Sequence, residues 1–152
     1  MSIRIAEKND LQIVHDITVR TIKEIYPHYY PNGTVNFFIE HHHEDFIAQD
    51  IEDGIVYICC DKNGEAVGTI TIKSNEICRL FVLPIFQLKG YGREMLDFAE
   101  KTIFSKYVEI VLDSSLPAKA VYLKRGFTIT ASNCIATQNG DFLCYDVMIK
   151  NI

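Results

Sequence analysis

The stretch Leu80-Phe81-Val82-Leu83-Pro84-Ile85-Phe86-Gln87-Leu88-Lys89-Gly90-Tyr91-Gly92 decides the fold. Leu80 to Leu83 is apolar and rich in β-formers. Pro84 cannot donate to a sheet ladder, so a strand ends there. Two glycines spaced by one residue follow. From Gly90 the apolar positions Met95, Leu96, Phe98, Ala99 and Ile103 recur with a helical period to about Phe104. A strand, a short glycine loop and a helix therefore meet here. The first N–H groups of a helix lack partners in their own helix and lie at the positive end of its dipole. Such a loop suits an anion of the pyrophosphate kind. Glycine permits close backbone approach, because a Cβ would intrude on the phosphates. Lys89 and Arg93 add positive charge beside it. Taken alone, Gly-x-Gly is more often a plain helix start.

The elements on either side extend this reading. Ile55 to Asp61 is a strand, Asp61-Lys62-Asn63-Gly64 a hairpin turn, and Glu65 to Lys73 the returning strand. Ser74-Asn75 turns again into Glu76 to Leu83. Near the start, Ile3 and Ile5 alternate with polar residues as a first strand. Asn9-Asp10 offers a helix cap, and Leu11, Val14, Ile17, Thr18, Thr21, Ile22 and Ile25 carry a helix to about Ile25. Pro27 and Pro31 break the chain. A second helix starts near Thr34 with Val35, Phe38 and Ile39, and Phe46, Ile47 and Ile51 continue it after a bend. Downstream, Val108 to Leu112 is a short buried strand. Ala118 to Arg125 is a helix closed by Gly126. Phe127 to Thr130 and Leu143 to Ile149 form a last antiparallel pair, with Asn139-Gly140 as its turn. The expected class is α+β (an α/β mixed sheet flanked by helices), in one domain over residues 1–152.

With 152 residues, 48% of them hydrophobic and 23% charged, the chain can bury a core. Its longest apolar run, Ile55 to Cys60, is far shorter than the ~20 residues of a spanning helix, so no membrane partner is expected. Arg4, Glu7, Lys8 and Asp10 leave no apolar signal-peptide core in the first ten residues. The net charge of −5 argues against nucleic-acid binding and is compatible with a cationic small molecule or peptide. Five cysteines without a Cys-x-x-Cys pair read as reduced thiols in a cytoplasmic protein, with no disulfide and no zinc. His41-His42-His43 cannot converge on one metal ion, because neighbouring helical residues point about 100° apart. They read as a solvent-facing helix end, with the option that one lines an acceptor pocket.

Two motifs together carry a resemblance. Val82-x-Pro84 followed by Gln87-x-x-Gly90-x-Gly92 resembles the acetyl-CoA motif of the GNAT N-acetyltransferase superfamily. Ala118-x-x-x-Tyr122-x-x-x-Gly126-Phe127 is similar to that family's tyrosine helix, and the element order agrees along nearly the whole chain. The Lys-Ser/Thr of a nucleotide P-loop and the third glycine of a dinucleotide fingerprint are both missing. The resemblance implies an enzyme moving an acetyl group from acetyl-CoA to an amine by direct attack. The acceptor is then a small-molecule or peptide amine, with a homodimer an open option. A non-catalytic acyl-CoA-binding or regulatory module of the same fold is the alternative.

The same resemblance implies site residues. Backbone groups of Phe81 and Val82 pair with the pantetheine arm, and the Val82 N–H faces the thioester oxygen. The N–H groups of Leu88, Lys89, Gly90, Tyr91, Gly92 and Arg93, with Gln87, cradle the pyrophosphate. Tyr122 protonates the departing thiolate, a role open to a neutral phenol near sulfur. Ser115 stands where the family often has an asparagine, and reads equally as a coenzyme ligand or a helix cap. Glu76 resembles the general base of one branch of the family, and reads equally as a solvated carboxylate at a strand start. Tyr26, Tyr29 and Tyr30 lie in the loop that borders the acceptor site, where aromatic rings can hold a cationic amine or simply clamp the loop.

Overall fold

The change of period at Gly54 becomes three consecutive antiparallel strands around which everything else is arranged. In the computed structural model, which describes residues 1–152, the chain runs β1 (Ser2–Ile5), α1 (Leu11–Ile25), α2 (Asn32–His41), α3 (Glu44–Glu52), β2 (Val56–Cys60), β3 (Ala66–Lys73), β4 (Glu76–Val82), α4 (Tyr91–Phe104), β5 (Glu109–Ser114), α5 (Leu116–Lys124), β6 (Thr128–Ala136) and β7 (Phe142–Asn151). Seven strands form one sheet in the order β1-β2-β3-β4-β5-β7-β6. Val67 to Ile72 is buried without a break, as befits a central strand covered on both faces. One face packs on α4 through Met95, Leu96, Ala99 and Ile103, the apolar positions expected for that helix. The other face packs on α1, α2 and α3 through two further clusters. No helix is long and apolar enough to cross a membrane.

All neighbouring strands are antiparallel except β4 and β5. These are parallel and meet at only two positions, Glu76 with Val111 and Ile77 with Leu112. Beyond Ile77 the strands fork. Backbone groups on that side of β4 are therefore left without a ladder partner, in the middle of the sheet.

Three expectations are corrected. β6 extends to Ala136, well past the expected Thr130, and each of its nine residues is exposed. A strand open on both faces shows no period-two burial and leaves no alternating pattern to read. Cys134 and Cys144 are direct register partners on β6 and β7 and form a disulfide, so only Cys59, Cys60 and Cys78 are free. The odd cysteine count concealed one cross-strand pair. The three histidines do not share a solvent-facing helix end. α2 stops at His41, His43 caps α3, and His42 turns inward to 7% exposure.

Candidate active site

The fork opens into a cavity of about 710 Å³. Gln87, Leu88 and Gly92 line one end and Tyr122 stands beside β4. Glu76, Asp113, His41 and His42 also line it, with Glu76 at the opposite end of β4 from the glycine loop. The cavity thus follows β4 from the glycine loop to the turn where β4 begins.

The loop is built as an anion cradle. Gln87 N–H bonds to Pro84 O and Glu94 N–H to Gly90 O, but none of the six N–H groups from Leu88 to Arg93 has an acceptor in the protein. They converge at the first turn of a 14-residue helix, where unpaired donors and dipole act together. Gly90 caps α4 at φ 94°, a left-handed conformation that favours glycine. Leu88 holds φ 61° with its side chain fully exposed, a strained apolar tip at the mouth. The side chains play other parts. Gln87 Nε2 donates to Val82 O at 3.0 Å and braces the loop against β4. Lys89 Nζ lies 5.1 Å over the Phe86 ring, Tyr91 packs edge-on against that ring, and Arg93 reaches Asp97. The loop therefore offers backbone donors, flanked by two cations.

Strand alternation settles which backbone groups face the fork. Leu83 N–H is bonded to Val67 O on β3, so the N–H of Val82 points the other way, to the open edge. Val82 O faces the same edge and accepts from Gln87 and from Thr21 Oγ1 of α1 at 3.2 Å. Phe81 is out of step with this. Its backbone faces β3, where its register partner is Thr69, and only its side chain reaches the cavity. The expectation that Phe81 offers backbone groups to a bound arm is thereby corrected. Leu80 and Val82 are the residues whose backbone groups face the fork.

Tyr122 is buried, lines the cavity and packs edge-on against Phe127 at 5.5 Å. Burial raises its pKa well above that of a free phenol, so its hydroxyl is neutral at any physiological pH. No protein group bonds its hydroxyl. Ser115 occupies the N-cap of α5 yet makes no capping bond. Its hydroxyl faces the cavity and accepts from Tyr26 at 3.4 Å. The capping work falls to Tyr30, whose hydroxyl accepts from Leu116 N–H at 2.7 Å. Of the three loop tyrosines only Tyr26 lines the cavity, with a hydroxyl pushed up to about 12 by burial. Tyr30 is a buried brace for α5. Tyr29 lies 51% exposed in the loop and lines no part of the cavity.

At the far end stand three carboxylates, on Asp50, Glu76 and Asp113. Asp50 is held by Arg79 in a largely buried ion pair. Glu76 is half-buried with no ion-pair partner, and Lys73 is its register neighbour across the β3–β4 turn. Burial, helped by the Glu76 charge, pushes the Cys78 thiol up to about 11. It stays protonated at neutral pH and is no ready nucleophile. Burial, then the Arg79 and His41 charges, lower His42 to about 3, so its ring is neutral. Its Nδ1 has no hydrogen-bond partner. Thr21 and Asp113 line the cavity and were missed by sequence reasoning, whereas His41 and His42 take up the option that a histidine of the triplet lines a pocket. Only Thr21 left a signal, a hydroxyl within the apolar stripe of α1.

Residues 25–140 match the family model described as an acetyltransferase (GNAT) domain. No curated protein sequence matches the chain. Among solved structures, a GCN5-related N-acetyltransferase from Rhodopseudomonas palustris shares the fold with a TM-score of 0.90 at 21% identity, over 99% of this chain and 95% of that one. The PaiA N-acetyltransferase of Thermoplasma acidophilum, solved with coenzyme A, gives 0.74 at 22% identity over 100% of both chains. YncA of Salmonella typhimurium, solved with acetyl-CoA, gives 0.70 at 19% identity over 99% and 93%. At such identities the likeness is one of fold. The family match spans most of the chain, including the loop and the tyrosine helix, and the chain belongs to the GNAT acetyltransferase family.

Proposed function

We propose that this protein transfers an acetyl group from acetyl-CoA to an amine by direct attack on the thioester. The observation that carries the reading is the run of six unpaired N–H groups from Leu88 to Arg93, opening onto a cavity that continues along the forked edge of β4. In this reading the loop holds the pyrophosphate, with Lys89 and Arg93 nearby. The pantetheine arm lies along Leu80 and Val82 as an added strand. The amine attacks the thioester carbonyl from the Glu76 end, and the charge growing on the carbonyl oxygen meets the Val82 N–H. The C–S bond breaks as Tyr122 passes its proton to the sulfur. The ammonium proton goes to Glu76, which faces the cavity free of an ion pair. The protonated Cys78 supports direct transfer over an acyl-enzyme.

The test is calorimetric titration with acetyl-CoA, followed by an amine screen that detects released coenzyme A thiol. Saturable binding with acceptor-dependent thiol release is expected. Absence of acetyl-CoA binding by the folded protein would overturn the reading. Binding without turnover on any amine class would favour a regulatory acyl-CoA-binding module.

A further inference from the structure

We propose that the Cys134–Cys144 pair is a thiol–disulfide exchange site, opened by small thiols and closed by small disulfides, and that it acts as a latch on one wall of the cavity.

The pair sits where the sheet is thinnest. β5 accompanies β7 only from Glu109, opposite Asn151, to Ser114, opposite Asp146. β6 and β7 run on together past that point, pairing Asn133 with Tyr145, Cys134 with Cys144, Ile135 with Leu143 and Ala136 with Phe142. β6 is the last strand of the sheet, so this end is a ribbon of two strands. Two strands alone are only marginally stable in water. Every β6 residue is exposed, so burial adds little there. The disulfide crosses the ribbon between register partners and is the covalent part of what holds β6 to β7.

Alternation separates the two faces of the ribbon. Register partners share a face, and neighbours along a strand oppose each other. Ile135, Leu143 and Tyr145 line the cavity. Cys134 and Cys144 therefore lie on the outer face, and both are exposed. A small thiol reaches the bond without entering the cavity. The other cysteines do not compete, since Cys59 and Cys60 are buried and burial holds the Cys78 thiol at about 11.

The ribbon is also fastened to α2. Gly33 N–H donates to Asp141 Oδ2 at 2.9 Å, Thr34 Oγ1 to Phe142 O at 2.9 Å, and Gln138 Nε2 to Glu40 Oε1 at 3.1 Å. The approach is close, because a Cβ on Gly33 would lie 2.1 Å from Gln138 O. α2 in turn brings Phe37, Phe38 and His41 to the cavity. A loosened ribbon frees Leu143 and Tyr145 directly and gives up its hold on α2.

In the opening step a thiolate of the reagent attacks one sulfur of the pair, and the other cysteine leaves as a thiolate. A second reagent thiol then displaces the first cysteine from the mixed disulfide. The products are two cysteine thiols and the reagent's own disulfide, and closure is the reverse.

Incubation with oxidised glutathione should leave three alkylatable thiols in the denatured protein and no retained glutathione, and dithiothreitol should raise the count to five. Native-state hydrogen exchange then compares the two states. On reduction, exchange at ribbon amides 133–145 and at Gly33 should quicken by about 10- to 100-fold, the scale set by a short cross-linked loop, with β3 and α4 unchanged. Calorimetric titration of acetyl-CoA, whose place in the cavity rests on the transfer reading, should give a Kd about 3- to 10-fold weaker in the reduced protein, because only molecules with the wall in place bind. In Cys134→Ser/Cys144→Ser neither exchange nor Kd should respond to dithiothreitol. Five thiols or retained glutathione after oxidation, exchange unmoved by reduction, an acetyl-CoA Kd within about twofold in the two states, or a response kept by the double variant would each overturn the latch. If acetyl-CoA binds neither state the transfer reading fails, and the thiol count and the exchange alone decide the latch.

Discussion

Gly92→Leu tests the coenzyme site with least disturbance of the fold. Gly92 is the second residue of α4, it has ordinary helical backbone, and it lines the cavity. A Cβ built there meets only Val82 Cγ2, at 3.8 Å, an ordinary contact. In a helix leucine is favoured over glycine by about 0.5–1 kcal/mol, so folding should be unharmed or slightly improved. The added side chain projects beside Val82, where the fork meets the cradle. If the pyrophosphate lies on the Leu88–Arg93 donors, displacing it from two of them removes roughly 3–6 kcal/mol, because hydrogen bonds to charged groups contribute about 1.5–3 each. That is ~10²- to 10⁴-fold in Kd for coenzyme A. Gly90 is a poorer test. At φ 94° any side chain strains the loop even though nothing lies within 4 Å of its Cβ, so lost binding there would not separate a displaced phosphate from a reshaped loop. The assay is calorimetric titration of coenzyme A, paired with thermal unfolding. A folded Gly92→Leu protein that binds coenzyme A within threefold of the parent refutes the pyrophosphate assignment.

Tyr122→Phe keeps the packing on Phe127 and removes the proton donor; turnover should fall ~10²-fold or more with coenzyme affinity unchanged, and unaltered single-turnover rates would remove Tyr122 from the chemistry. Glu76→Gln should lower turnover near neutral pH and recover partly at high pH, where free amine is abundant. Superimposable pH–rate profiles would return the proton to water. His42 predicts a stability effect with a definite sign. Its folded pKa, about 3, lies below the ordinary 6.5, so the unfolded chain binds more protons between these values and stability is lost as pH falls through that window. His42→Leu should therefore lose about 2 kcal/mol less than the parent between pH 7 and pH 5, at about 1.4 kcal/mol per pH unit below 6.5. Denaturant unfolding at both pH values reads this directly, and equal losses would mean that His42 is solvated.

How much of this was legible depended on whether a feature is local. The β3–β4 hairpin, the stop at Pro84 and the glycine loop are readable because period, turn residues and helix start are written in consecutive residues. The fork is not, since it arises from β5 meeting β4 at only two positions. Everything that depends on the fork was hidden with it. Phe81 and Val82 are equivalent in an apolar run until Leu83 is known to bond Val67, and that one long-range bond decides which of them faces a ligand. Tyr26 and Tyr30 share one aromatic loop. Tyr26 faces the cavity and Tyr30 braces α5 because Leu116, 86 residues further on, presents an N–H to the second ring and not the first. Asp113 reads as a polar residue near a strand end and nothing more, until the fold sets it in the lining of the cavity. On the proposed reading, the residues that would favour one acceptor over another are those placed by tertiary contact, whereas the glycine loop is fixed by a dozen neighbours in sequence. Chains of this fold can accordingly keep a recognisable loop while the far end of the cavity diverges, and the acceptor has to be read from that end.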